Sequence, residues 1–136
     1  MNYTLNYQIH FDECDPAGIL FFANTWTICH RAYEAWLLSL KNDWSYWFHH
    51  PEWLTPIVSS NCVFHHPLVA GSTIQIQLTL LKMGTSSFTS FYQFMKNDQI
   101  FLECTLIHVF TDKITFKKMS IPNEIRNLFQ PFVKTI

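Results

Sequence analysis

Near the N-terminus the stretch "FDECDPAGILFF", Phe11 to Phe22, sets three acidic side chains beside an apolar run. Asp12, Glu13 and Asp15 stand within four positions, Pro16-Ala17-Gly18 follow, and Ile19 to Phe22 carry no polar side chain. A carboxylate drawn into apolar surroundings must find partners or give up its charge. Held there ionised, it can attack an electrophilic carbonyl or take a proton from water that does. In an extended strand Glu13 and Asp15 would share one face, and Asp12 and Cys14 the other. The spacing also suits a plainer role, in which all three acids cap and solvate a strand end before a Pro-Gly turn.

Other reactive residue types are scattered. The histidines are His10, His30, His108 and the pairs His49-His50 and His65-His66, and none shows the ligand spacing of a zinc site. No metal or other cofactor is expected. Cys14, Cys29, Cys62 and Cys104 form no C-x-x-C pair and read as small hydrophobes without disulfides. A nucleophilic pair, Cys29 with His30 or Cys62 with His65, would need an activated thiol, and nothing in the sequence marks one. Trp44, Tyr46, Trp47, Phe48 and Trp53 suit core or interface, with an acyl-pocket wall as the lesser reading.

The elements that must position the acids follow from periodicity. The sequence predicts a first strand over 3–11 and a helix capped by Asn24, with Trp26, Cys29, Tyr33, Trp36, Leu37 and Leu40 on one stripe. An aromatic connection over 41–55 leads to a strand from Pro56 to Phe64. Strands follow over 73–81, 87–95 and 99–111, with a short one over 114–118 and a final helix opened by Pro122. One sheet with a single long helix to cover it makes an α+β domain over residues 1–136, the sheet wrapped round the helix.

Of 136 residues, 49% are hydrophobic, 14% charged and 17% aromatic. That is more apolar side chain than so small a domain hides alone, so an interface with another copy is expected. Nine basic and ten acidic residues leave a net charge of −1, which gives no footprint for nucleic acid or an anionic membrane. No signal peptide or bilayer-spanning run is evident, and a cytoplasmic protein is expected.

"CDPAGI" between a first strand and a long helix resembles the 4-hydroxybenzoyl-CoA thioesterase family of hot-dog-fold enzymes. "TPIVSSNCVF" and the spacing of Phe64, Pro67 and Gly71 fit the same family, and the likeness runs from about residue 5 to 118. The resemblance implies a hot-dog fold, a homodimer assembling into a homotetramer, and metal-free hydrolysis of an acyl-CoA thioester. It assigns the catalytic carboxylate to Asp15 and the carbonyl-polarising backbone N–H to Phe22. Gly18, Thr55, Ser59 and Lys82 are further candidates for touching substrate. Glu13 is also a candidate electrostatic or orienting neighbour of Asp15, though it and Asp12 keep the plainer reading.

The chain departs from the family at two places. The turn "LKMGTSSF" carries Lys82 alone where several members place a basic cluster for the CoA phosphates, and Arg126, Lys117 and Lys118 read as surface charges elsewhere. Phe22 stands where some relatives place tyrosine, a change that a backbone contact survives. An acyl-CoA thioesterase acting on an aroyl or short-to-medium acyl group is therefore the expected function. An acyl-carrier-protein thioesterase and a non-catalytic acyl- or partner-binding protein are the alternatives. A dehydratase or hydratase ranks behind them, because such sites use a histidine and none lies between Phe11 and Cys29.

Overall fold

The computed structural model describes residues 1–135; Ile136, the last residue of the expected domain, lies outside them. The chain forms β1 (Tyr3–Gln8), α1 (Thr25–Leu40), α2 (Trp44–Phe48), β2 (Trp53–Leu54) and β3 (Ile57–Phe64). It continues through β4 (Thr73–Met83), β5 (Ser87–Lys96), β6 (Gln99–Val109), β7 (Thr111–Asp112) and α3 (Asn123–Phe129). The main sheet is antiparallel with strand order β1-β4-β5-β6-β3.

Alternation decides which face goes inside. Ile74, Ile76, Leu78 and Leu80 of β4, Phe88, Tyr92 and Phe94 of β5, and Leu102, Cys104 and Leu106 of β6 are buried. They meet Ile28, Cys29, Ala32, Tyr33, Trp36 and Leu37 of α1 in one core. Trp36 lies against Phe129 and Phe132, with ring centroids 4.7 and 5.4 Å apart, so α3 and the turn after it close one end of that core. This is the α+β hot-dog arrangement the resemblance implies. β4 and β5 run as expected, and Asn97 and Asp98, both at positive φ, make the tight turn between β5 and β6.

Four local expectations change. The first strand stops at Gln8, because Phe11–Glu13 coil into a 3-10 turn. Glu13 and Asp15 therefore do not share a strand face. The Asn24 side chain makes no cap and donates instead to the Glu13 carbonyl at 2.9 Å. No strand forms over 114–118, because Asp112 Oδ1 accepts the Ile114 and Thr115 N–H groups and curls the chain into a turn. Thr111–Asp112 pairs with Trp53–Leu54 instead. Pro122 precedes α3 rather than opening it.

Candidate active site

Asp15 sits in a tight hairpin rather than at a strand end. Cys14 bridges Leu20, the Asp15 N–H donates to the Ile19 carbonyl at 2.9 Å, and the Gly18 N–H returns to the Asp15 carbonyl at 2.9 Å. Gly18 lies at φ 80°, which a residue with a side chain adopts only at a cost. Its place is thus set by the backbone turn. The Asp15 Oδ1 accepts the Ala17 N–H at 2.9 Å, and Oδ2 has no hydrogen bond among the described residues. The returning arm, through Phe21, runs straight into the start of α1.

That start is open. A 3-10 turn at Phe22–Asn24 leads into α1, and the Phe22 and Ala23 N–H groups meet no acceptor among the described residues. First-turn N–H groups lack helical partners and stand at the positive end of the helix dipole. Such groups stabilise negative charge on a carbonyl oxygen. Phe22, to whose backbone the resemblance assigns the carbonyl contact, exposes 61% of its surface.

Glu13 proves to be more than a solvated end. It is buried, Oε2 accepts from the Tyr7 hydroxyl and from Arg31 Nη1 at 2.7 Å, and Oε1 accepts the His10 N–H at 2.6 Å. Burial alone would raise its pKa, but the hydrogen bonds from Tyr7 and His10 and the charges of His10 and Arg31 outweigh it and hold the carboxyl below the usual range. Burial and the Glu13 carboxylate together push the Tyr7 phenol up to about 12. A carboxyl depressed in the folded state stabilises above its unfolded pKa of about 4.3, and that stability fades as pH falls through the folded value. Thermal melts should show wild type losing stability between about pH 5 and pH 3 more steeply than Glu13→Gln. Equal slopes would contradict the pairing.

A second feature opens on the helix flank. His30, Tyr33, Glu34, Phe48, Thr55, Pro56, Ile57 and His108 line a cavity of about 420 Å³. His108 is buried between Tyr33 and Phe88, stacked at 4.8 and 4.6 Å, with Ser90 Oγ 3.2 Å from Nε2. Burial and the neighbouring His30 push its pKa down to about 4, so the ring is neutral near pH 7. The Thr55 backbone opposes that shift without reaching hydrogen-bond geometry at Nδ1. The cavity's carboxylate, Glu34, accepts the Trp44 indole N–H at 3.0 Å. Among the described residues no carboxylate bonds His108.

Of the other sequence candidates, Thr55 lines this cavity, while Ser59 is exposed on β3 beside a register shift. Lys82 is exposed near the end of β4. Arg126 is not remote from it, as the sequence suggested, because its Nη2 donates to the Gly84 and Thr85 carbonyls of the β4–β5 turn at 2.8 and 3.3 Å. Cys29 and Cys104 are buried, the Cys62 and Cys104 sulfurs face each other at 2.6 Å, and that contact with burial raises the Cys62 pKa. His65 pairs with Glu103 at 2.9 Å rather than with a cysteine. Among the described residues no group of three or more His, Cys, Asp or Glu side chains is placed to hold a metal, and no helix is long and apolar enough to cross a membrane.

Sequence reasoning missed the Glu13–Arg31 pair and the His30–Tyr33–His108 wall. Arg31 and Glu34 fell off the apolar stripe of α1, which marked that flank as leaving the core without saying what it meets. His108 falls on the inward register of β6, two residues after Leu106, which was the available signal for a buried histidine.

The chain is similar to known proteins over most of its length. Residues 9–129 match the model of the thioesterase-like superfamily. A 1,4-dihydroxy-2-naphthoyl-CoA hydrolase of Nostoc punctiforme is 30% identical over 125 residues, covering 92% of this chain and 84% of that protein. The enzyme of the same name from Crocosphaera subtropica is 37% identical over 109 residues, covering 78% and 80%. The crystal structure of a 1,4-dihydroxy-2-naphthoyl-CoA thioesterase from Synechocystis superposes with a TM-score of 0.87 at 22% identity, covering 96% of each chain. A gentisyl-coenzyme A thioesterase gives 0.81 at 22% identity, covering 93% of this chain and 99% of that one. A helix wrapped by an antiparallel sheet, an Asp-Pro-Ala-Gly hairpin at the helix start and a match over most of the chain lead to one assignment: the chain belongs to the thioesterase-like superfamily and is a thioester hydrolase of the hot-dog fold.

Proposed function

We propose that this protein hydrolyses an aroyl-CoA thioester, with a two-ring dihydroxynaphthoyl group as the preferred acyl part, to free acid and CoA. What supports this reading is a hairpin carboxylate, one oxygen unbonded among the described residues, on a hairpin whose returning arm leads into free N–H groups at the start of α1. Asp15 acts as nucleophile or general base, and the Phe22 N–H takes the carbonyl oxygen as it gains charge. Gly18 keeps the hairpin tight.

The helix supplies a ruler. His30 and Tyr33 lie five and eight residues beyond the first residue of α1, roughly 7–12 Å along the axis at 1.5 Å per residue. That span suits a fused two-ring group whose carbonyl is held at the helix start. The cavity there falls in the size range of ligand sites, and its rings and aliphatic side chains match a flat aromatic guest. Thr55 contributes to its wall, and Ser59 lies farther along the same segment.

Lys82 and Arg126 supply cationic side chains at and beside the β4–β5 turn for the CoA phosphates, in place of the family's basic cluster. β3 is an unpaired edge along which Ile57, Val58, Val63 and Phe64 are exposed, and it suits pairing with a second copy. A homodimer, with dimers joined into a homotetramer in the cytoplasm, completes the proposal.

The test is thiol release from a panel of CoA thioesters. Dihydroxynaphthoyl-CoA should exceed acetyl-CoA in kcat/KM by on the order of 10²-fold or more, since filling an aromatic-walled cavity is worth a few kcal/mol. Equal rates on acetyl- and naphthoyl-CoA would remove the cavity from the reading. Hydrolysis of carrier-protein thioesters alone would move the carrier.

A further inference from the structure

Glu13 is a buried acid in a chain poor in charge, and its bonds reach four separate pieces of the fold. Its side chain ties it to Tyr7 of β1, to the His10 backbone, and to Arg31 two turns into α1. Its carbonyl accepts the Phe21 N–H on the returning arm of the Asp15 hairpin and the Asn24 Nδ2 at the helix start, each at 2.9 Å. The Tyr7 hydroxyl donates to Glu13 while accepting from Arg31, so the three side chains close a ring. Capping a strand end requires none of this. Solvent would serve an acid there, and Asn24 could cap α1 instead of leaving its first N–H groups open.

What the network fixes is the helix relative to the hairpin. Arg31 sets the rotation and slide of α1 against β1, and Asn24 sets the first turn against the chain entering and leaving the Asp15 hairpin. We propose that Glu13, through Arg31 and Asn24, positions the Asp15 carboxylate against the free N–H groups at the start of α1. The inference rests on the reading of Asp15 given above. None of the three residues need touch substrate. Their effect lies in alignment, where reacting groups must sit within ~3.5 Å and an error of ~1 Å can cost on the order of 10²-fold in rate.

The experiment measures Arg31→Ala, Glu13→Gln and Asn24→Ala beside Asp15→Asn on one aroyl-CoA, with the folded fraction of each taken from its melting curve. Positioning predicts a fall in kcat per folded molecule of roughly 10- to 100-fold, with KM within about 3-fold. It also predicts that guanidinium ion at ~50 mM, far below the molar range that unfolds proteins, restores part of the lost kcat of Arg31→Ala. That ion should leave Asp15→Asn unchanged. Asn24→Ala removes one bond to a carbonyl and keeps the test alive if an Arg31 or Glu13 variant fails to fold.

A merely structural role would lower the melting temperature and leave kcat per folded molecule at the wild-type value, with no response to guanidinium, and that result overturns the proposal. Full activity of Asp15→Asn overturns the reading beneath it and this inference with it. Loss in Asp15→Asn with full kcat in the other variants overturns the inference alone.

Discussion

Asp15→Asn is expected to lower kcat on the best aroyl-CoA by on the order of 10²-fold or more, with the fold intact. The substitution keeps the shape of the side chain and an oxygen to accept the Ala17 N–H, so the hairpin has no reason to open. It removes the negative charge that, in the proposed mechanism, attacks the carbonyl or deprotonates water. Gly18 and the Asp15–Ile19 backbone bond, which set the turn, are untouched. The measurement is steady-state thiol release with thermal melts of both proteins. Equal rates would leave a thioester hydrolase whose carboxylate lies elsewhere. Single turnover in labelled water separates the two roles, because direct attack carries solvent oxygen into the Asp15 carboxylate first.

The second large effect concerns stability. Trp36 is fully buried on α1 and packs on Phe129, Phe132 and Tyr33. Truncating such a side chain to alanine costs about 3–5 kcal/mol, from lost transfer energy and the cavity left behind. One term works the other way. The indole N–H has no partner among the described residues, and a buried unpaired donor is itself destabilising, so removing it returns roughly 1 kcal/mol. Trp36→Ala should therefore lose about 3 kcal/mol, a large part of a stability of ~5–15 kcal/mol, and melt roughly 10 °C lower. Urea denaturation checks the figure. A loss under about 1 kcal/mol would mean that α3 and its following turn do not close the core on this ring.

How much of this was legible depended on whether a local cause ruled. β4 was clear because Ile74, Ile76, Leu78 and Leu80 alternate with polar residues over a long run, and α1 was clear because its apolar stripe holds its period to Leu40. The turn at Asp15 was legible through the motif around it, since Pro16 and Gly18 announce a turn whatever the rest of the chain does. Glu13 was not. Its place depends on a 3-10 turn that breaks the two-residue alternation, and on an arginine 18 positions away. Asn24 misled for a related reason: a residue whose oxygen could accept from the helix instead donates its amide N–H to a carbonyl brought close by the folded hairpin. Arg126 was placed too far from Lys82 because only tertiary packing brings α3 to the β4–β5 turn. The short strand over 114–118 failed because one aspartate, Asp112, bonds its own neighbours before a ladder can.

The strand order has a consequence for how the chain assembles. β1 pairs with β4, and β3 pairs with β6, so both outer strands are made by the first half of the chain and must wait for the second. Only β4, β5 and β6 meet their partners through short connections, beginning at the tight Asn97-Asp98 turn. A growing chain therefore carries β1 unplaced until β4 has emerged, and β3 until β6, beyond residue 100, has done so. The central meander is the natural nucleus, since closing local hairpins costs little chain entropy compared with long-range pairing. The Asp15 hairpin and its helix, though early in the sequence, reach their final geometry late, docking together onto a sheet that has already formed.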